Sequence, residues 1–118
     1  MSGKFDQKVF EQWLSLRETL KVEKRDKNYS QIIKVSLQIL DLDRKAKFIG
    51  IMVPIFLKEI GNAYLKLGNV SSAIEYLQLA KDGLAKYRAT EKLSHPDDWL
   101  KDINSLEKNI LKLRSKSA

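Results

Sequence analysis

The stretch FLKEIGNAYLKLGNVSSAIEYLQLAKDGL, residues 56 to 84, decides the fold of this chain. Apolar residues recur in it at helical spacing on both sides of a break at Gly68 and Asn69. Glycine commonly lies just past the end of one helix, and asparagine commonly caps the start of another. The stretch is therefore predicted to form a helical hairpin.

Small residues lie where the two helices of this hairpin would meet. Gly61 and Ala63 on the first helix, and Ala73 and Ala80 on the second, have small side chains or none, so the two backbones can approach closely. Larger residues then fill the space around the contact: Tyr64, Leu65, Tyr76 and Leu77. The pattern predicts a closely packed antiparallel pair.

The spacing of large and small residues resembles the tetratricopeptide repeat, which carries Leu-Gly and Tyr on its first helix and Ala on its second. The match is closest at Gly-Asn-Ala-Tyr, residues 61 to 64, and extends over about residues 54 to 87. The resemblance implies a binding scaffold built from stacked helix pairs. Because the proline that usually follows the repeat is absent here, we expect the fourth helix to continue to about Thr90.

The preceding segment, residues 4 to 43, is predicted to form a less regular first helix pair. Its first helix has a wide apolar stripe, and Asn28 is a suitable N-cap for its second. The start of the repeat pattern is present at Trp13-x2-Leu16, but Arg17 replaces the expected Gly. Over residues 9 to 43 the resemblance is therefore degenerate.

The second pair, residues 44 to 90, has a third helix whose start is open to two interpretations. Pro54 lacks a backbone donor and clashes with the preceding turn, so the helix either begins near it or continues through it with a kink. We favour one kinked helix, because the apolar run FIGIMVPIFL, residues 48 to 57, has no turn residues on either side of the proline. The run is about half of the ~20 residues that span a bilayer and is expected to be buried.

A fifth helix is predicted over residues 96 to 115, with Pro96 in its first turn. Its apolar residues have heptad spacing: Trp99, Ile103, Leu106, Ile110 and Leu113. One interpretation is a closing helix that covers the second pair, and the other is a homodimer formed through this seam. The predicted fold class is all-α, with two antiparallel hairpins and a closing C-terminal helix, five helices in one domain of residues 1 to 118.

Composition agrees with a helical domain and limits its chemistry. Apolar residues make up 43% of the chain and charged residues 31%, with five Gly and two Pro. The chain has no cysteine and no apolar leader at its start, so a cytoplasmic location is expected. The net charge of +7 is spread evenly, at +2, +3 and +2 over residues 1 to 27, 28 to 67 and 68 to 118. No segment is a basic arm for nucleic acid.

No enzyme constellation is found in the sequence. His95 is the only histidine, so a two-histidine metal site is excluded. Asp97 and Asp98 suit the start of the fifth helix better than an acid and base pair. The glycines are scattered and form no phosphate loop. We predict no catalytic residue, no metal site and no cofactor.

The predicted function is binding of a peptide or partner helix in a groove lined by the first and third helices. By resemblance to the co-chaperone subclass of these repeats, Lys58 and Asn62 would hold a ligand carboxylate, and Leu65 and Lys66 extend the contact surface. The alternative is a homo-oligomerising or nucleic-acid-associated basic helical protein. A third interpretation is a fragment of a longer repeat protein.

Five aromatic residues are expected in the core: Trp13, Phe56, Tyr64, Tyr76 and Trp99.

Overall fold

The computed structural model describes residues 7 to 46, 52 to 90 and 99 to 117. This part of the chain forms five helices: α1 (Gln7–Arg25), α2 (Tyr29–Ala46), α3 (Met52–Lys66), α4 (Val70–Thr90) and α5 (Leu100–Ser117). Each helix packs antiparallel against the next one in the chain. The prediction of an all-α fold with five helices is confirmed. The tetratricopeptide identity stays a prediction.

Two clusters of buried side chains form the core. The first joins α1, α2 and α3, and it contains Leu20, Ile32, Ile33, Val35, Ile39, Phe56, Ile60 and Ala63. The second joins α4 and α5, and it contains Leu77, Ala80, Leu84, Leu106 and Ile110. The two clusters are linked through α3 and α4, because Tyr76 packs against the first and Leu57 against the second.

Aromatic residues pack against these clusters, as predicted. Phe56 is buried, while Trp13, Tyr64 and Tyr76 are partly buried against the first cluster. The rings of Tyr64 and Tyr76 stack between α3 and α4, with their centroids 5.6 Å apart. Trp99 is partly buried against the second cluster. None of the five is left on the surface as a stacking platform.

The α3–α4 turn has the predicted end and cap. Gly68 has φ +84°, and its amide donates to the Leu65 carbonyl, while the Asn69 amide donates to the Tyr64 carbonyl. These two hydrogen bonds form a Schellman motif. The Asn69 side chain then accepts a hydrogen bond from the Ser72 amide at 3.1 Å and caps α4.

The α1–α2 turn repeats this geometry without a glycine. The Lys27 amide donates to the Lys24 carbonyl, and the Asn28 amide donates to the Glu23 carbonyl. Lys27 takes the left-handed position, with φ 57°. The predicted start of α2 after Asn28 is confirmed. The two hairpins therefore use the same turn, although only one has the residue that favours it.

Among the described helices, α3 and α4 make the most extensive contact. A Cβ atom at Gly61 would lie 2.8 Å from Leu77 Cδ2 and 3.2 Å from the Leu77 backbone nitrogen. Further along the pair, a Cβ atom at Gly83 would lie 2.9 Å from the Pro54 ring. Gly61 therefore permits the close approach that the sequence predicted, and Gly83 permits another that it did not.

Pro54 is the third residue of α3 as the structure describes it, from Met52 to Lys66. Residues 47 to 51, over which the favoured kinked helix would extend, lie outside the described part of the chain. The choice between a helix that begins near Pro54 and one that continues through it with a kink therefore stays a prediction.

The predicted start of α5 is wrong by four residues. Trp99 has φ 67°, which no α-helix accommodates, and α5 begins at Leu100. The predicted placement of Pro96, Asp97 and Asp98 in the first turn falls, like His95, on residues outside the described part of the chain.

The heptad seam of α5 packs on α4. Leu106 and Ile110 are 1% and 2% exposed, and Ile103 and Leu113 are partly buried beside them. Lys81 Nζ and Glu107 Oε1, 3.6 Å apart, link the two helices at the surface. The seam serves as a closing contact within one chain, while self-association stays a prediction.

No helix in the described ranges is long and apolar enough to cross a membrane.

Candidate functional site

A groove opens between α1 and α3, which lie side by side on α2. Its volume is about 550 Å³. α1 contributes Leu14, Arg17, Glu18, Leu20, Lys21 and Lys24, and α3 contributes Ile55, Phe56 and Glu59. We call these nine residues the main groove. The main groove lies between the first and third helices, where the sequence predicts a peptide-binding groove; its binding of a ligand stays a prediction.

The floor of the main groove is apolar. Leu20 and Phe56 are 6% and 5% exposed and belong to the first core cluster. Leu14 lies at the side of the groove with 40% of its surface exposed. The groove therefore offers rigid apolar contacts below and a partly exposed leucine beside them.

Charged side chains form the rim of the main groove. The Arg17 guanidinium lies over the Trp13 ring, 4.8 Å from its centroid, and this cation–π contact limits where Arg17 can point. Lys21 lies one turn further along α1, and Glu18 lies beside Arg17. A ligand in the groove would contact apolar side chains at the floor and charged side chains along the rim.

An ion pair crosses the groove at one end. Lys24 Nζ and Glu59 Oε1 are 2.8 Å apart and join α1 to α3. The lysine side chain is 48% exposed and the glutamate side chain 28%. Because solvent screens the two charges, the ion pair contributes little to stability. Its main consequence is positional, because it bridges α1 and α3 at this end of the main groove.

A second pocket of about 330 Å³ lies on the other side of this ion pair. It shares Lys24 and Glu59 with the main groove, and its other lining residues are Lys27, Tyr29, Ile32, Asn62, Ala63 and Lys66. We call these eight residues the basic pocket. Ile32 and Ala63 are buried and form an apolar base beneath the charged groups.

The predicted site residues divide into two pairs. Asn62 and Lys66 line the basic pocket, together with Glu59, one residue per turn along α3. Lys58 and Leu65 line neither cavity. Lys58 lies about 40° around α3 from Asn62, at about 100° per residue. The predicted contact of these four residues with a ligand stays a prediction.

Sequence reasoning placed the first helix along the groove but named none of its residues as contacts. Leu14, Arg17, Lys21 and Lys24 recur at spacings of three and four, which places them on one side of a helix. That signal was present, but it does not reveal which neighbouring helix the stripe faces. The pairing of Lys24 with Glu59, 35 residues away, depends on the packing of α1 and α3 on α2.

Comparison of the chain with protein-family models, with curated proteins and with solved structures finds no match in any of the three. The function is therefore inferred from the geometry and the charge of the groove.

Proposed function

We propose that this protein is a non-enzymatic interaction module that holds a peptide or a partner helix in the main groove. The observation that carries the proposal is the groove itself, about 550 Å³ of space with apolar side chains at its floor. Clefts that bind ligands commonly enclose ~300 to 1,000 Å³ and place a few polar groups around an apolar lining.

A helix suits the length of this groove. From Leu14 to Lys24 the lining extends about 15 Å along α1, which is about three helical turns. An amphipathic helix bound in a groove anchors itself through apolar residues on successive turns. Leu20 and Phe56 would receive those anchors, and the rim charges would meet the polar edge of the ligand.

A scaffold of the tetratricopeptide type is part of the same proposal. Successive antiparallel helices, with a groove lined by the first helix of each pair, are what such a scaffold needs. On this interpretation Asn62 and Lys66 contact the ligand, whereas Lys58 and Leu65 lie beside it. The absence of cysteine supports a cytoplasmic location.

Photocrosslinking from inside the groove tests this function. The crosslinking residue p-benzoylphenylalanine would replace Leu14 in one variant and Leu79 in another, and each would be expressed in the native cells. The two leucines are 40% and 46% exposed, but only Leu14 lines the groove. We expect a discrete crosslinked partner from position 14 and none of the same mass from position 79.

A captured partner would then be purified and titrated against the full chain. Leu14→Asp should weaken binding at least tenfold, whereas Leu79→Asp should leave it unchanged, since only the first places a charge against the apolar floor. Equal crosslinking from both positions, or equal binding by both variants, would show that the partner does not bind in the main groove.

A further inference from the structure

The basic pocket carries positive charge that the rest of the described chain does not balance. Of its three lysines, Lys24 pairs with Glu59. Lys27 and Lys66 form no ion pair with any residue in the described ranges. Both residues line the same concave pocket, which holds one further charged pair, Lys24 and Glu59.

Other groups around this space accept or donate hydrogen bonds. Asn62 and Tyr29, whose side chains carry an amide and a hydroxyl, also line the pocket. The pocket base is apolar, because Ile32 and Ala63 are 5% and 3% exposed. An anionic group attached to an apolar body therefore fits this pocket better than a fully hydrated ion.

The basic pocket continues the main groove rather than standing apart from it. Lys24 and Glu59 line both cavities, and their ion pair is the boundary between them. A helix of about four turns would lie over both. Its apolar face would lie above Leu20 and Phe56, and its end would reach Lys27 and Lys66.

We propose that the partner of this groove is an amphipathic helix with glutamate or aspartate side chains at the end that lies over Lys27 and Lys66. This inference rests on the proposed function and specifies its ligand. Charge-assisted hydrogen bonds from ammonium groups to carboxylates hold the acidic end. The apolar face supplies the remaining contact area.

The charge of this protein argues that the acidic helix belongs to another protein. Each of the five described helices carries more basic than acidic residues, from two against one in α3 to five against two in α5. A second copy would therefore bring like charges to Lys27 and Lys66, which disfavours the contact. A separate acidic partner meets no such repulsion.

Selection from a displayed peptide library tests the proposal. The library would contain helical peptides of about 15 residues, the length at which isolated helices begin to be stable, with randomised positions on all faces. The full chain is the bait, and Leu14→Asp protein is the competitor that removes binders not using the groove. We expect the selected peptides to carry Leu or Phe on one face and Glu or Asp at one end.

The best selected peptide would then be titrated against matched charge variants. Lys27→Gln with Lys66→Gln should weaken binding about tenfold, and added salt should weaken binding to the unaltered protein more than to this variant. Lys86→Gln with Lys112→Gln removes the same charge from exposed positions outside both cavities and should change nothing.

Two failures are distinguishable. Selected peptides that need Leu14 but have no acidic bias, or that bind equally well without Lys27 and Lys66, would overturn this inference and leave the groove function intact. A selection in which the Leu14→Asp competitor removes every binder would overturn the groove function as well.

Discussion

At the scale of single residues, the two hairpin turns make the same demand on different side chains. The second residue after α1 and after α3 adopts a left-handed backbone, with φ 57° for Lys27 and φ 84° for Gly68. Glycine meets this demand without strain, whereas a residue with a Cβ atom loses on the order of 1 kcal/mol. Nothing lies within 4 Å of a Cβ atom built on Gly68, so its requirement is purely conformational.

The two turns therefore predict opposite effects on stability. Lys27→Gly should raise the free energy of unfolding by about 0.5 to 1 kcal/mol, and Gly68→Lys should lower it by about 1 kcal/mol. Urea denaturation followed by circular dichroism measures both. Shifts of the same sign in the two variants would contradict the shared turn geometry.

Tyr76 makes stability depend on alkaline pH. Burial raises the pKa of its phenol above the ordinary value of 10.0, and the neighbouring Tyr64 and Glu75 raise it further. The folded state thus prefers the neutral phenol, and this contribution is complete below pH 10 and is lost as pH rises through the raised pKa. The unfolding free energy should therefore fall above about pH 10, and less so in Tyr76→Phe. Tyr87→Phe is the control, and an alkaline loss that Tyr76→Phe leaves unchanged would refute the assignment.

At the scale of helices, close approach at one position sets how α3 and α4 cross. Gly61→Ala restores helix propensity, worth about 1 kcal/mol, but drives a methyl group into Leu77. We expect a net loss of about 1 to 2 kcal/mol in the free energy of unfolding. In a double-mutant cycle with Leu77→Ala, the same change should cost less or become favourable, since the side chain that it meets is gone. Additive effects would mean that the two residues do not limit the approach.

Two leucines of α5 are predicted to contribute very differently to stability, because one is buried and the other exposed. Leu106→Ala should cost about 2 to 5 kcal/mol, because Leu106 is 1% exposed between α4 and α5. Leu111→Ala on the same helix should cost less than about 0.5 kcal/mol, because Leu111 is 59% exposed. Thermal unfolding measures the difference. A comparable loss in both variants would mean that Leu111 is covered in solution, as in a dimer formed through the outer face of α5.

At the scale of the whole molecule, the row of helices is broader than a compact globule. The radius of gyration of the Cα atoms is 15.3 Å, and the extents are 49 × 36 × 21 Å. A compact chain of this length would have about 13.5 Å. Because each helix packs mainly on the next one in the chain, the molecule extends sideways and leaves the α1–α3 groove open.

This arrangement predicts a monomer in solution. The apolar seam of α5 is already buried on α4, and the net charge of +7 opposes self-association at low salt. Small-angle scattering should give a radius of gyration near that of the single chain at all concentrations, in low and high salt. A radius that grows with concentration and stays large in high salt would indicate a second copy in the groove or on α5.

Local physics made most of the helices predictable from sequence. Apolar periodicity, the Gly68 stop and the two asparagine caps depend on residues within a turn or two of each other, and they located α1, α2 and α4 closely. The start of α5 was missed because the left-handed Trp99 has no local sequence signal: tryptophan rarely adopts that conformation, and its ring packs against the second core cluster.

By itself, the sequence determined that the chain is all-α and that Gly61 allows two helices to approach. The tertiary structure alone decided which stripes face each other: Lys24 meets Glu59, and Asn62 and Lys66 join α1 and α2 residues in one pocket, whereas Lys58 does not. The physical reason is that helix periodicity defines faces, but the direction of a face depends on packing against residues that are distant in the chain.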